Sequence, residues 1–440
     1  DAPEPRCPSV WWGGDATVPA AATRYAPLML PRHYSGDPRS VERGPSLLVF
    51  TTTFPNEKQP QLGLFVRERM FRVAQRVPAC FVAPVPWFPL QPLVGRYRPY
   101  FRPTPARVEQ QGGHEVHHPR FLSVPGVLKR ADGFLLAAST LATVRRLVKQ
   151  HGVTLIDAHF GYPDGYAATL LGRWLKLPVT VTIRGNEEVL ARNPALTPLL
   201  ASGLRRALRV FSVSDSLRTL ALDLGVEDGK AITVSNGVDL DTFQPIPRTD
   251  ARRELGIPLS APVLVSVGGL VEGKGFHRVI AALPPLRAAL PELVYLIAGG
   301  PTPIGDWRPH LERQTRELGL EGVVRFLGPV PPERLKWVLS AADVFVLATA
   351  REGWANVFLE AMACGLPVVT TRVGGNAEVV RSGDLGILVP FGEQDALANA
   401  LREALTRSWD RGAILAYARE NDWDRKVDRL VEELRTAVAA

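Results

Sequence analysis

The stretch "REGWANVFLEAMACGLPVV", Arg351 to Val369, places a loop, a helix and a strand next to one another. Gly353 and Asn356 mark the loop, "VFLEAMA" is typical of a helix, and Gly365 ends that helix before the strand. The first backbone N–H groups of a helix lack partners within the helix and lie at the positive end of its dipole. The stretch therefore predicts a diphosphate site, with N–H donors from Ala355 to Phe358.

Two carboxylates flank this helix start, Glu352 before it and Glu360 inside it. A carboxylate accepts hydrogen bonds from the paired hydroxyls of a ribose or hexose, but it repels a phosphate placed against it. The separation of the two glutamates favours an arrangement in which each binds a sugar on one side of the diphosphate. The alternative is a solvated Glu352 and a Glu360 that only lies on a helix face.

Short apolar runs alternate with amphipathic segments from Ser46 onward, which is the pattern of βα units around a parallel sheet. The first series predicts strands at "LLVF", "CFVAP", "TLIDAHF", "VTVTI" and "RVFSV", with helices over 63–76, 133–150, 164–175 and 214–224. After "FQPIPRTD", a second series predicts strands at "VLVSVG", "LVYLIAG", "VVRFLG", "DVFVLA", "PVVTT" and "GILVP". Two doubly wound α/β sheets are expected, with ligands in a cleft at the carboxyl ends of their strands.

Composition narrows the class of protein. The 440 residues are 46% hydrophobic and 22% charged, which suits a folded chain of two large domains. Three widely spaced cysteines favour a reducing compartment and hence the cytoplasm, and no apolar run is long enough to span a bilayer. The net charge of +8 favours anionic partners. Residues 1 to 44, rich in Pro, Gly, Ala and Ser, are expected to form a poorly structured leader.

The stretch "VSVGGLVEGKGF", Val265 to Phe276, has the glycine and lysine spacing of a phosphate-binding loop. A nucleotide hydrolase needs Ser or Thr after the lysine to hold magnesium, but Gly275 follows Lys274 and has no hydroxyl. Gly268 and Gly269 still allow a ligand to approach the backbone closely, and Lys274 supplies a cation. Lys274 is therefore a candidate to meet a phosphate, and a turn with a solvated lysine is the alternative.

These motifs resemble those of the retaining glycosyltransferases of family 4, also described as glycosyl transferases group 1. The similarity lies in the E-x7-E arrangement from Glu352 to Glu360 followed by "AMACGLPVV", and in "SNGVDLDTF" at 235–243, "VGGLVEGKG" at 267–275 and "GPVPPERLKWVLSAADVFVLAT" at 328–349. The amino-terminal "TTTFPNEKQPQLGLFVRER" matches more weakly. The resemblance spans about residues 47 to 430 and implies the GT-B fold, in which two Rossmann-like domains face each other across a cleft.

The resemblance also implies a division of the chain and an activity. It places an acceptor domain at 45–245, a nucleotide-sugar donor domain at 246–425 and a helix that crosses back to the first domain at 426–440. The implied reaction transfers a hexosyl unit, with retention, from a nucleotide-diphosphate sugar, most often a UDP-sugar, to a glycan or lipid-linked acceptor in polysaccharide or glycoconjugate biosynthesis. It implies neither a metal nor a cofactor. A sugar-nucleotide epimerase or hydrolase on the same fold and a non-catalytic sugar-nucleotide-binding protein are the alternatives.

Roles for individual residues follow from the same resemblance. Lys274 is expected to neutralise the donor diphosphate, Glu360 to hold the nucleoside ribose, and Glu352 to bind hydroxyls of the transferred sugar. Gly63 is expected in a loop that faces donor and acceptor. The candidate catalytic residues are Glu352, Lys274, Arg184 and His159, and the candidate donor-binding residues are Gly63, Gly268, Gly269, Lys274, Glu352, Gly353, Asn356, Val357, Phe358 and Glu360.

The chain departs from the family pattern at two positions. Members commonly read G-R-L where this chain reads Gly268-Gly269-Leu270, so the arginine that pairs with the diphosphate is absent. Many members carry a histidine where "VTVTIRGNEE" has Arg184, which cannot act as a general base. Arg184 is expected to contact the donor phosphate, the acceptor or Glu187 and Glu188, with a loop-bracing Arg–Glu pair as the alternative. His159 in "DAHFGYPDG" is a second candidate to face the cleft, and a structural hydrogen bond is its alternative role.

The acceptor is expected at the first domain. The stretch "WFPLQPLVGRYRPYFRPTPAR", Trp87 to Arg107, interleaves aromatic and basic side chains, which suits a membrane headgroup interface. A lipid-linked acceptor and peripheral contact with an anionic membrane at its inner, cytoplasmic face follow as expectations. Such interleaving also suits nucleic acid, but no nucleic-acid-binding module accompanies it, so no nucleic-acid partner is expected. A solvated loop is a further alternative.

Overall fold

The computed structural model describes residues 44–89, 91, 103–302 and 305–439. The expected leader therefore lies outside the described residues, except for Gly44. In the aromatic and basic stretch Trp87 to Arg107, residues 90 and 92–102 also lie outside them, and these include most of the side chains expected at a membrane.

The first half of the chain builds a largely parallel sheet. Its strands and those of a small neighbouring sheet are β1 (Leu47–Phe50), β2 (Ala79–Val82), β3 (Val85–Trp87), β4 (Val108–Gln111), β5 (His114–His117), β6 (Arg120–Leu122), β7 (Leu155–His159), β8 (Val179–Ile183), β9 (Arg209–Ser212) and β10 (Ala231–Thr233). The sheet order is β10-β9-β8-β7-β1-β2-β5-β4, and β3 pairs with β6 alone. All its neighbours are parallel except the antiparallel hairpin β4–β5.

Helices cover both faces of this sheet, so its central strands are buried along their length, as in Val179–Ile183. The helices are α1 (Leu64–Ala74), α2 (Asp132–His151), α3 (Tyr166–Leu175), α4 (Glu187–Ala191), α5 (Thr197–Arg206) and α6 (Asp215–Asp223). The strands end at one edge of the sheet, where His159 is the last residue of β7 and the connections after β1 and β8 carry Gly63 and Arg184.

The second half builds a fully parallel sheet. Its strands are β11 (Val263–Val267), β12 (Val294–Ala298), β13 (Val324–Gly328), β14 (Val344–Leu347), β15 (Val368–Thr371) and β16 (Gly386–Val389), in the order β13-β12-β11-β14-β15-β16. The remaining helices are α7 (Arg248–Glu254), α8 (Phe276–Ala289), α9 (Arg308–Glu317), α10 (Pro332–Ala341), α11 (Asn356–Ala363), α12 (Asn376–Val379), α13 (Gln394–Thr406), α14 (Arg411–Glu420) and α15 (Trp423–Ala439).

The expected fold class, two doubly wound α/β layers, is confirmed. Each strand that the apolar runs predicted is present within one or two residues of its expected bounds. The apolar runs did not predict the hairpin over 108–117 or the short strands β3, β6 and β10. These strands contain no continuous stretch of buried apolar residues. None of the described helices combines the length and the apolar content that crossing a bilayer requires.

The chain crosses between the two sheets at two adjacent places. Val238 N–H donates to the Asn421 carbonyl at 3.0 Å, and Trp423 N–H donates to the Val238 carbonyl at 3.2 Å. A Cβ on Gly237 would lie 2.6 Å from Trp423 Cα, so only glycine fits where the two crossing segments touch. Val238 and Phe243 are already buried in the second core, ahead of the expected division at residues 245 and 246.

The last helix returns to the first sheet. Helix α15 begins at Trp423, and its apolar side chains pack into the first core beside α1, whereas α14 packs into the second core. The residues of α15 in that core are Trp423, Val427, Leu430, Val431 and Leu434. The crossing helix therefore starts three residues before the expected range of 426–440.

Candidate active site

The start of α11 has N–H donors that nothing in the described structure caps. The residue before the helix, Ala355, makes no capping hydrogen bond with its side chain. Phe358 N–H donates to the Ala355 carbonyl at 3.1 Å, and the Phe358 side chain is fully buried. Phe358 is therefore corrected from a ligand donor to a packing residue, and the donors that remain for an anion are the N–H groups of Asn356 and Val357.

Lys274 and Glu352 come together at the carboxyl ends of β11 and β14. Ala350 N–H donates to the Gly273 carbonyl at 2.8 Å, and the Thr349 hydroxyl donates to the same carbonyl at 3.0 Å. These bonds hold the two loops against each other, and Lys274 Nζ lies 2.6 Å from Glu352 Oε2. The side chains are 30% and 15% exposed, so each retains a surface that a ligand can reach.

This ion pair shows which group the Lys274 ammonium contacts in the structure. Glu352 supplies the negative charge that a phosphate would otherwise supply, so the solvated-lysine alternative does not describe the site. A diphosphate that binds Lys274 would compete with the Glu352 carboxylate for its N–H donors, and repulsion between the two anions favours release of the carboxylate. Displacement would leave the Glu352 carboxylate beside the bound donor with its acceptor oxygens available for hydroxyl groups.

Glu360 lies in the second turn of α11 and is partly exposed. Burial, followed by the nearby Asp239 carboxylate, raises the pKa of Glu360 to about 7. Asp239 itself is held by Arg72, whose Nη2 lies 3.0 Å from its Oδ2, and by the Thr242 hydroxyl. The Asp239 turn therefore makes internal contacts that fix the crossing segment, and its carboxylate influences the charge of Glu360.

The absent family arginine has a steric explanation. An ideal Cβ on Gly269 would lie 2.4 Å from Cγ2 of Thr302, in the loop after β12, so a side chain at position 269 requires that loop to move. Gly268 lies beside the stem of Lys274, because a Cβ there would come within 3.9 Å of Lys274 Cδ. Thr302 is a residue that the sequence analysis missed, since it follows a strand without belonging to any motif.

Arg184 is enclosed at the edge of the first sheet and is only 8% exposed. One guanidinium nitrogen donates to Asn236 Oδ1 at 3.2 Å, and the other lies 3.1 Å from His159 Nδ1. The Glu187 carboxylate accepts the backbone N–H groups of Arg184 and Gly185, at 3.0 and 2.9 Å. The loop-bracing alternative is therefore formed through the backbone: Glu187 holds the N–H groups of Arg184 and Gly185, and Asn236 and His159 hold the guanidinium.

His159 does not face the cleft. It has no exposed surface, since it ends a strand that helices cover on both faces. Burial, together with the Arg184 charge, lowers the pKa of His159 well below its ordinary value. Its Nε2 lies 3.5 Å from Asp157 Oδ2, and its Nδ1 accepts from Arg184. The expectation of a cleft-facing His159 is therefore wrong for this conformation, and its structural alternative fits the contacts.

Asn236 connects this buried cluster to the helix that carries the N–H donors. Its carbonyl oxygen accepts from Arg184, and its amide nitrogen donates to Asn356 Oδ1 at 2.9 Å. Asn236 is 3% exposed and lies just before the first crossing segment. The contact fixes the first residue of α11 against the first sheet, so a motif residue expected only to shape the linker also orients the donor helix.

Two further contacts join the sheets across the cleft. A Cβ on Gly353 would lie 2.3 Å from the Arg184 carbonyl, so the loop before α11 touches the first sheet only because residue 353 is glycine. The Glu378 carboxylate accepts from the N–H groups of Asp215 and Ser216 at the start of α6, at 2.6 and 3.0 Å. Gly63 is the residue before α1 and therefore lies on the first-sheet side of the cleft. Its φ is 67°, and Thr53 leaves no room for a Cβ there.

We expect Asn236→Asp to separate the two contacts of Asn236, the one with Arg184 and the one with Asn356. Aspartate still accepts from Arg184 but cannot donate to Asn356, so KM for the donor should rise about tenfold, equivalent to one lost hydrogen bond of about 1.4 kcal/mol, with little change in melting temperature. Asn236→Ala leaves the buried guanidinium without its acceptor and should lower the melting temperature as well. A donor KM for Asn236→Asp that equals the wild-type value would contradict the positioning role.

Two facing α/β sheets, with an N–H-rich helix start and an ion pair between the carboxyl ends of their strands, define the GT-B class of glycosyltransferase fold. Residues 247–421 match the family described as "Glycosyl transferases group 1", and residues 98–242 match the one described as "Glycosyltransferase Family 4". The chain belongs to glycosyltransferase family 4 and is a glycosyltransferase.

Individual relatives differ in their named activities. The chain is 35% identical over 323 residues to the D-inositol 3-phosphate glycosyltransferase of Corynebacterium urealyticum, covering 68% of this chain and 76% of that protein. Matches to several other relatives of that name span about half of their length. A Bacillus subtilis protein, named provisionally as a teichuronic acid biosynthesis glycosyltransferase, is 28% identical over 406 residues, 88% of this chain and 93% of that protein.

The fold is also that of solved structures. The Anabaena protein HepE, crystallised in complex with UDP, superposes with a TM-score of 0.68 at 19% identity, and the match covers 89% of this chain and all of that one. At this level of identity the similarity establishes the GT-B fold alone.

Proposed function

We propose that this glycosyltransferase moves a hexosyl unit from a UDP-sugar to a hydroxyl group of a glycan or lipid-linked acceptor, with retention and without a metal ion, in polysaccharide or glycoconjugate biosynthesis. One observation carries the proposal: the Lys274–Glu352 pair lies at the same cleft as the uncapped start of α11. A cation and N–H donors for a diphosphate are thus combined with a carboxylate for sugar hydroxyls. UDP is proposed as the nucleotide because HepE was crystallised with it.

In the proposed reaction the bond between sugar C1 and the donor phosphate oxygen breaks, and its electron pair stays on that oxygen. Lys274 and the N–H groups of Asn356 and Val357 stabilise the negative charge, and fixed donors of this kind are worth about 3 to 4 kcal/mol each. The acceptor oxygen forms its bond to C1 from the same face and passes its proton to a donor phosphate oxygen. No protein base is required, which agrees with the enclosure of His159.

The test combines binding with transfer. Among UDP-, ADP- and GDP-hexoses, a UDP-hexose is expected to raise the melting temperature most, because a ligand that binds only the folded state stabilises it. The same compound should be consumed with formation of a glycoside whose anomeric configuration, measured by NMR, matches the donor, and a chelator should leave the rate unchanged. Donor turnover that is independent of acceptor, or a product of inverted configuration, would contradict the proposal.

The pKa of Glu360 adds a pH dependence to nucleoside binding. The ionised carboxylate accepts two hydroxyl hydrogens of a ribose, and a pKa of about 7 means that this form grows as pH rises from 6 to 8. Uridine, which has no phosphate to titrate, should therefore bind up to about tenfold more tightly at pH 8 than at pH 6, measured by calorimetry. Glu360→Gln should remove most of this dependence, and a wild-type affinity that weakens with rising pH would contradict the ribose role.

A further inference from the structure

A cluster of charged side chains is buried between α1 and the first sheet. Asp157 lies on β7 and Arg69 lies on α1, and neither residue is more than 1% exposed. Arg184, which follows β8, is 8% exposed, and its guanidinium carbon lies 5.4 Å from the centre of the Phe65 ring on α1. Charged groups are rarely enclosed in this way without partners, because removing a charge from water is costly.

The two arginines hold the segment that leads to the second sheet. Arg69 Nη1 donates to the Val234 carbonyl at 3.2 Å, and Arg184 Nη1 donates to Asn236 Oδ1 at 3.2 Å. Asn236 in turn donates to Asn356 Oδ1 at 2.9 Å. Asn356 is the first residue of α11, and its N–H is one of the two proposed diphosphate donors. The position of that N–H therefore depends on two buried guanidinium groups.

The charge of the buried Asp157 carboxylate acts on both arginines. Burial lowers the pKa of Arg69 to about 10, and burial together with the neighbouring Arg69 charge lowers the pKa of Arg184 well below its ordinary value. The Asp157 charge raises the pKa of each arginine, and Glu187 adds to this effect at Arg184. Attraction between opposite charges is strong where water is excluded, so Asp157 favours the charged, hydrogen-bonding form of both guanidinium groups.

His159 connects Asp157 to Arg184. An arginine side chain only donates hydrogen bonds, so His159 Nδ1, which lies 3.1 Å from Arg184 Nη2, is the acceptor and the ring proton is on Nε2. Nε2 lies 3.5 Å from Asp157 Oδ2, a separation that is longer than a good hydrogen bond and leaves an electrostatic attraction. Asp157 Oδ1 accepts from the Thr180 hydroxyl at 2.7 Å, and this bond fixes the carboxylate.

We propose that Asp157 is a positioning residue for the donor, which acts through the two buried arginines and Asn236 on the start of α11. This inference rests on the proposed function, because it assumes that the donor diphosphate binds at that helix start. Asp157 has no exposed surface with which to contact a substrate. Its effect on donor binding therefore passes through Asn236.

Asp157→Asn tests this role, because asparagine keeps the shape of the side chain and can still accept from Thr180 but carries no charge. Burial raises the pKa of Asp157 to about 6, so the wild-type carboxylate is ionised at about pH 8. At that pH the variant should weaken UDP binding about fivefold to tenfold and leave uridine affinity within about twofold of the wild-type value, measured by calorimetry. Its melting temperature should also fall, because two buried guanidinium groups lose a counter-charge.

Combining Asp157→Asn with Asn236→Asp separates positioning from folding. Asn236→Asp has already lost the contact with Asn356, so the added change should weaken UDP binding by less than about twofold further. The carboxylate introduced at position 236 lies beside Arg184, so the double variant should melt at a higher temperature than Asp157→Asn alone. Losses of UDP affinity that multiply in the double variant would show that Asp157 does not act through Asn236, and the inference would then be wrong.

Asp343→Asn is the matched control for a loss of stability. Asp343 also pairs with a buried arginine, Arg252, at 2.9 Å. It precedes β14 and so lies at the opposite end of that strand from the candidate active site. This variant should lower the melting temperature and leave the UDP affinity unchanged. Equal losses of UDP affinity in Asp343→Asn and Asp157→Asn would reduce the effect of Asp157 to stability and overturn the inference.

Thr180→Val keeps the test decisive if Asp157→Asn does not fold. Valine has nearly the shape of threonine but removes the hydrogen bond that fixes the Asp157 carboxylate. It should weaken UDP binding about threefold, and it should have no further effect in Asn236→Asp. Wild-type UDP affinity in Asp157→Asn, or in Thr180→Val as its replacement, would contradict the positioning role. Wild-type protein that binds UDP no more tightly than uridine would instead overturn the proposed function.

Discussion

Replacing Glu352 with glutamine is expected to lower kcat for sugar transfer by about 10²-fold or more, while UDP binds at least as tightly as it does to the wild-type protein. The two effects have opposite directions because Glu352 is proposed to contact two groups one after the other, first Lys274 and then the transferred sugar. In the structure its carboxylate lies 2.6 Å from Lys274, where it would compete with the diphosphate. With the donor bound, the same carboxylate is released to the hydroxyls of the transferred sugar, and an amide binds those hydroxyls less strongly.

Kinetics at saturating donor and calorimetric titration with UDP measure the two effects separately. Glu254→Gln is a matched control, because Glu254 at the end of α7 forms an exposed pair with Arg334 at 2.5 Å, and the variant should change neither quantity. The melting temperature of Glu352→Gln should stay within a few degrees of the wild-type value, since the side chain is not part of a core. Wild-type turnover, or UDP binding that weakens, would remove Glu352 from the site.

Lys274→Ala is expected to lower kcat by about 10²- to 10³-fold and to weaken UDP binding far more than uridine binding. The reason is that Lys274 is the charged group proposed to stabilise the diphosphate both in the bound donor and as it departs, and the arginine that shares this task in related sequences is glycine here. Uridine lacks the diphosphate, so its affinity should change by no more than about twofold.

Lys230→Ala provides the control for Lys274→Ala. Lys230 is also 30% exposed and also forms an ion pair, with Glu227 at 2.8 Å, but it lies outside the cleft. It should leave the affinities for UDP and uridine unchanged. Equal losses of UDP and uridine affinity in Lys274→Ala would show that the variant disturbs the nucleoside site rather than the phosphate contact.

The parts of the fold that local pattern controls could be predicted from the sequence. The strand Val179–Ile183 and the helix Asn356–Ala363 were recognisable because apolar runs and helix-ending glycines act over a few residues. The helix start was predicted as an anion site for the same reason. The resemblance to the family came from the E-x7-E arrangement and the other matching stretches, which no composition or periodicity would have supplied.

The contacts made between distant loops could not be predicted in this way. Lys274 and Glu352 are separated by 78 positions, and their pairing depends on the side-by-side placement of β11 and β14. The burial of His159 depends on the helices that cover β7, and the fit of Thr302 against Gly269 depends on how two loops approach. The expectation that failed for His159 concerned a side chain whose surroundings come from another part of the chain, whereas the Phe358 N–H was lost to a local bond with the Ala355 carbonyl.

The central claim is that the donor diphosphate binds at the start of α11 and takes Lys274 away from Glu352. A crystal structure of the protein with UDP bound tests it most directly. The claim predicts phosphate oxygens about 3 Å from the N–H groups of Asn356 and Val357 and from Lys274 Nζ, with Glu352 separated from the lysine. A diphosphate bound elsewhere, with the 2.6 Å contact between Lys274 and Glu352 intact, would contradict it.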